Sequence, residues 1–171
     1  MLKGIFIGVI LTLALGVLTG YGIIRAGVIP ATSDQKPPRL EEWAAKMSLR
    51  ATIARNAPRG DNPLPLTDQN LIAGIKLYGQ NCAICHGDST GKPTNVAKGM
   101  YQRSPQLGRH GVEDDPDGET FWKVTHGIRW TAMPAFSRSL TETQIWQLTL
   151  FLKHMDSLPP AAHKVWLRVK A

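Results

Sequence analysis

Cysteine is nearly absent: the chain has two, Cys82 and Cys85, and both fall within four positions. With no second thiol pair, a structural zinc site lacks its usual four Cys or His ligands. A disulfide across only two intervening residues would close a small, strained loop. No alternating strand run of convincing length is visible, so the βαβ setting of a thioredoxin-like redox CxxC is missing as well. No internal repeat is present. The formal charge is +7 overall, but the surplus is scattered. Nucleic-acid binding would call for a basic stripe with interleaved aromatics, and none is found. A mildly basic face suits anionic lipid headgroups or an acidic protein partner.

One long hydrophobic run is present. Residues 4–24 (GIFIGVILTLALGVLTGYGII) contain no charge. As a helix they would extend roughly 31 Å, about the thickness of a bilayer core. The run is too long for a signal-peptide core, and the A-x-A cleavage pattern is missing. Residues 1–26 are therefore expected to be an uncleaved anchor, with a signal peptide as the alternative. The glycines would weaken a soluble helix but are common in membrane spans.

Residues 27–66 read as a linker that contains one amphipathic helix, 40–56. Pro30, Pro37 and Pro38 stiffen its first part. Leu40, Trp43, Ala44, Met47, Ala51 and Ala54 then fall on one helical face. This predicts a helix packed on its own domain through that face; a lipid-surface or partner helix is the alternative. Pro58 and the NPLP turn, 62–65, end it. Thr67 is expected to cap a helix over 68–81, which delivers the cysteines. Residues 87–117 read as loops with one short helical turn. The acidic run 113–119 lacks an EF-hand pattern and reads as a solvated loop. Asp117 is expected to cap a helix through His126, ended by Gly127. Thr141 is expected to cap the last clear helix, 142–155, whose stripe is Ile145, Leu148, Leu152 and Met155. The class is mostly α with long loops, over a domain 67–160 and a C-terminal tail 161–171. Loops of that length need a surface to pack on, and a large flat cofactor would supply one.

The segment CAICH, 82–86, points to that cofactor. In C-x-x-C-H two thiols add across the vinyl groups of haem, and the following histidine is set beneath the iron. Cys82, Cys85 and His86 are thus expected to hold one covalent haem c. Haem attachment takes place outside the cytoplasm, so the domain is expected on the periplasmic side of the inner membrane. The charges around the run lean weakly the other way. For the sixth ligand, Met100, Met133, Met155, His110, His126, His154 and His163 are candidates. Met133 stands out because it sits in a loop, with Pro134 behind it and Trp130 and Phe136 nearby. A thioether ligand raises the potential and fills the iron's last position.

Residues 67–158 resemble a class I monohaem cytochrome c domain, and the whole chain, with its anchor, linker and NPLP turn, is similar to membrane-anchored bacterial monohaem cytochromes. The resemblance rests on GIKLYGQNCAICHG, on GIRWTAMPAF and on SPQL, 104–107. It implies that Gly74 and Tyr78 mark a crossing with the last helix, with Trp146 or Leu150 as counterparts. It implies Met133 as distal ligand, Pro105 as acceptor for the proximal histidine and Leu107 as haem wall. Trp130, Arg129, Arg103 and Arg109 are candidate partners for the haem carboxylates. The expected function is one-electron transfer between redox partner proteins at the membrane, by a carrier and not an enzyme. A fixed haem subunit of a larger membrane oxidoreductase, a terminal oxidase or dehydrogenase, is the alternative. A haem enzyme or gas sensor is the third reading.

Overall fold

The computed structural model describes residues 2–171 as eight helices joined by loops, with no strand among the described residues. The chain divides into two units at Ser33/Asp34. The first unit holds α1 (Leu2–Arg25), which buries none of its residues. It is long and apolar enough to cross a bilayer. Its Thr12 hydroxyl donates to Gly8 O at 2.9 Å, so this polar group is satisfied within the helix, as a lipid environment requires.

The second unit contains α2 (Arg39–Asn56), α3 (Asp68–Asn81), α4 (Ala83–His86), α5 (Asn95–Lys98), α6 (Asp117–His126), α7 (Glu142–Lys153) and α8 (Pro160–Trp166). Helix α3 starts where Thr67 accepts from Asn70 N. Helix α7 starts in a capping box of Thr141 and Gln144. Helix α6 starts one residue earlier than expected, with Pro116 at the cap position. Asp117 lies inside it and accepts instead from Asn62 N at 2.8 Å. Asn62 also donates to Trp146 O at 2.9 Å, so the NPLP turn is stapled to α6 and α7.

The most extensive interface is between α3 and α7. It forms because Gly74 carries no side chain: a Cβ there would meet Gln147 O and stand 2.8 Å from Phe151 Cβ. The counterpart at the crossing is therefore the Gln147–Phe151 face, not Trp146 or Leu150. Trp146 lies about 100° round the helix from Gln147 and stacks on Phe121, ring centroids 4.0 Å apart. Tyr78 meets Phe151 and Trp166 edge to face, at 5.5 and 5.3 Å. Helix α7 is buried from Ile145 to Phe151 on nearly every side except Gln147, and Leu152 and Met155 continue the core.

Two expectations change. Residues 161–171 are not a free tail: α8 packs on α3, with Ala162 and Trp166 in the core. Helix α7 already ends at Lys153, and the proline pair 159–160 starts α8, which runs back over the domain. Helix α2 forms over the expected residues but turns its other side inward. Ile53 is buried and Leu49 half-buried, whereas Leu40, Trp43 and Met47 are 73, 58 and 50 % exposed. Trp166→Ala should cost about 3–5 kcal/mol, a fall in Tm of roughly 10 °C or more. A change within about 0.5 kcal/mol in thermal denaturation would mean that α8 is not part of the core.

Candidate functional site

Helix α3 ends at Cys82, and one further turn follows. Cys85 N and His86 N both donate to Cys82 O, at 3.0 and 2.8 Å. Positions i, i+3 and i+4 of a helical turn share one face, so both thiols and the imidazole come to the same side. Gly87, at φ 79, ends the turn, and its carbonyl accepts from the Tyr78 hydroxyl at 2.8 Å. Burial raises the Tyr78 phenol well above its ordinary range, so it stays a donor. Burial, helped by Cys85, pushes the Cys82 thiol up to about 12. No disulfide joins Cys82 to Cys85.

A second segment clamps this turn. Ser104 Oγ donates to Cys85 O at 2.6 Å, and Gln106 Nε2 donates to the same carbonyl at 3.1 Å. Leu107 N donates to His86 O at 3.0 Å. His86 Nδ1 lies 2.9 Å from Pro105 O. A carbonyl only accepts, so Nδ1 carries the hydrogen and Nε2 keeps its lone pair free for a metal. Burial holds the imidazole below its ordinary pKa, against the opposing pull of the Pro105 carbonyl. The neutral form that ligation needs is thus favoured.

These groups open onto a cavity of about 320 Å³. Its walls are mainly apolar and include Leu107, Val124, Ile128, Leu148 and Leu152. Cys82, Cys85, His86, Pro105 and Met133 all line it. Of the other distal candidates, Met100 also lines it. Met155 is packed in the core behind α7, and His110, His126, His154 and His163 are not among the lining residues. A neighbouring, more polar cavity lies between α2 and the 127–131 loop. Its walls include Lys46, Thr52, Gln102, Arg129 and Thr131, and it shares Leu49, Gln102, Ile128 and Thr131 with the first. Trp130 and Arg129 line this second cavity, while Arg103 and Arg109 line neither. Trp130 itself is 84 % exposed, because its φ of 64 turns it outward. The Arg129 guanidinium lies 5.2 Å over its ring.

Met133 owes its position to a tight loop. Ile128 N donates to Met133 O, and Met133 N donates to Thr131 Oγ1, both at 3.1 Å. Gly127, at φ 66, lies so close to the loop's return that a Cβ would stand 2.5 Å from Pro134 C and 2.7 Å from Met133 O. The sequence reading missed Ser104, Gln106 and Leu49. The first two flank Pro105, and their polarity beside a proline was the available signal. Leu49 lies off the apolar stripe of α2, on the opposite side of the helix.

The arrangement suits a flat apolar guest with a polar edge: two thiols on one rim, a neutral imidazole beneath, and donors beyond. A family model described as cytochrome c oxidase, cbb3-type, subunit III matches residues 69–152, just under half of the chain. No curated protein matches the chain. The matched span makes this a cytochrome c domain, which binds c-type haem covalently, and Cys82 and Cys85 lie in its haem-binding region. Gly127→Ala combines a left-handed φ with a backbone clash and should destabilise the domain by about 2 kcal/mol or more. Gly99→Ala, at φ −87 where a Cβ would meet only ordinary contacts, the nearest being Val96 O at 3.7 Å, should stay within about 0.5 kcal/mol. Equal denaturation midpoints for the two variants would contradict this account of the loop.

Proposed function

We propose that this chain, through its cytochrome c domain, is a single-pass, membrane-anchored electron carrier whose haem domain lies on the periplasmic side. When bound, the haem supplies a one-electron couple at its iron. Cys82 and Cys85 hold it through thioether bonds, and His86 offers Nε2 as the proximal ligand. Pro105 keeps the proton on Nδ1, which fixes the ring's tautomer and orientation. Leu107 and the other apolar walls exclude water, and a low-dielectric surround helps set the potential. Met133 is the distal ligand. Met100 belongs to the segment that runs directly into the Ser104–Leu107 clamp on the His86 side, whereas Met133 hangs from α6 in a separate loop. With His86 and Met133 both as its ligands, a bound iron would have no open position for oxygen or substrate. The polar cavity beside Arg129 and Thr131 takes the carboxylate edge.

The observation that carries this reading is the shared helical face of Cys82, Cys85 and His86, at the rim of an apolar cavity that Met133 also lines. Haem attachment outside the cytoplasm sets the orientation, with the N-terminus of α1 on the cytoplasmic side. The match to an oxidase subunit supports a second reading, a fixed haem subunit of a larger respiratory complex. Purification in mild detergent separates the two: a lone chain favours the carrier, and partners in fixed ratio favour the subunit.

Met133→Ala should abolish the sulfur-to-iron charge-transfer band of the oxidised protein, lower the potential and open the ferrous form to carbon monoxide. Met100→Ala should leave all three unchanged. The reverse pattern in optical spectra would move the distal ligand to Met100, and carbon monoxide binding by the unaltered ferrous protein would favour a gas-binding role.

A further inference from the structure

Helix α2 is amphipathic in the reverse of the usual sense. The side turned to its own domain carries Glu41, Lys46, Ser48 and Thr52 at the polar cavity, with Ala45, Leu49 and Ile53 as its apolar residues. Its apolar stripe, Leu40, Trp43 and Met47, faces away and is at least half exposed. At about 100° per residue, these three fall within roughly 60° of one another on the helix circumference. Ala51 and Ala54 extend the stripe and are exposed too. A stripe of this kind on the outside of a domain marks an interaction surface.

Three features say what covers it. The stripe is flanked by cations: Arg39 and Arg50 lie on one side and Arg55 on the other. The acidic residues of the helix are already engaged. Glu42 pairs with Lys46 at 2.5 Å, and Glu41 accepts from the Tyr101 hydroxyl at 2.8 Å. No ion pair among the described residues uses Arg39, Arg50 or Arg55. An apolar row that includes Trp, with uncompensated basic residues along its edges, is the chemistry of a helix lying in an anionic lipid interface. The tether adds to this. Only residues 26–38 separate the end of α1 from the start of α2, a reach of at most about 45 Å when fully extended. A membrane-inserted α1 therefore keeps this face within range of the bilayer surface.

We propose that α2 docks on the bilayer surface, with Leu40, Trp43 and Met47 entering the headgroup–acyl boundary and Arg39, Arg50 and Arg55 meeting anionic headgroups. This rests on the anchored-carrier reading. It gives the domain a second membrane contact besides its tether and so a defined orientation. The same helix then serves two surfaces: its polar side closes the cavity and its apolar side holds the lipid.

The test uses the full-length holoprotein in vesicles of phosphatidylcholine containing phosphatidylglycerol. Both native thiols are taken up by the haem, so Met47→Cys carries the one reactive thiol for a nitroxide. Asp61→Cys, on an exposed turn, is the aqueous reference. The label at position 47 should show a ratio of oxygen to nickel-chelate collisions about fivefold or more above that at position 61. Adding Trp43→Ser should bring the two ratios together. Equal ratios in the Met47→Cys and Asp61→Cys proteins would overturn the proposal. So would a label at 47 that is aqueous in vesicles but shielded in native membranes, because a protein partner would then cover the face. Labelling of more than one thiol per chain would instead report that the haem is not attached, which is a failure of the carrier reading and is scored separately.

Discussion

The hydrogen bond between His86 Nδ1 and Pro105 O, at 2.9 Å, is the constraint around which the domain is organised. It ties a single helical turn to a segment nineteen residues further on, and it sets which imidazole nitrogen is free. Three more hydrogen bonds from Ser104, Gln106 and Leu107 reinforce the same join. Segments with little regular structure of their own are thereby brought to one side of the cavity. The long loops are tolerable because they line a shared apolar space and are pinned at a few polar points.

Beneath the site, the crossing of α3 and α7 supplies the rigid base. Gly74 allows the helices to touch at Gln147 and Phe151, and Tyr78, one turn on, fills the space between Phe151 and Trp166. Tyr78 then spends its hydroxyl on the Gly87 carbonyl. One side chain so connects the core to the end of the CxxCH turn. The position of the thiols is set by α3, and α3 in turn is set by the core.

Much of this was legible in the sequence because it depends on local spacing. Thr67 and Thr141 mark helix starts with their own side chains, and Gly127 marks an end through its φ. The CxxCH spacing specifies a shared helical face without reference to anything distant. What was not legible depends on choices made across the fold. Asp117 reads locally as a cap, but Asn62 claims its carboxylate from 55 residues away. Trp166 sits beyond a proline pair that reads as a stop, so its return to the core could not be inferred from pattern. Helix α2 misled because amphipathicity says which face is apolar, not which face meets the domain. Trp130 reads as a residue of the haem wall by proximity to Met133, yet its left-handed backbone leaves it exposed at the edge of the neighbouring polar cavity.

The central claim is that Cys82 and Cys85 bond a single haem within the cavity beside His86. Intact-mass measurement of the purified protein after acid-acetone extraction tests it most directly. The account predicts a colour that survives extraction and a chain heavier than its polypeptide by one haem, an increment lost in Cys82→Ala/Cys85→Ala. A colourless chain that weighs only its amino acids would contradict it.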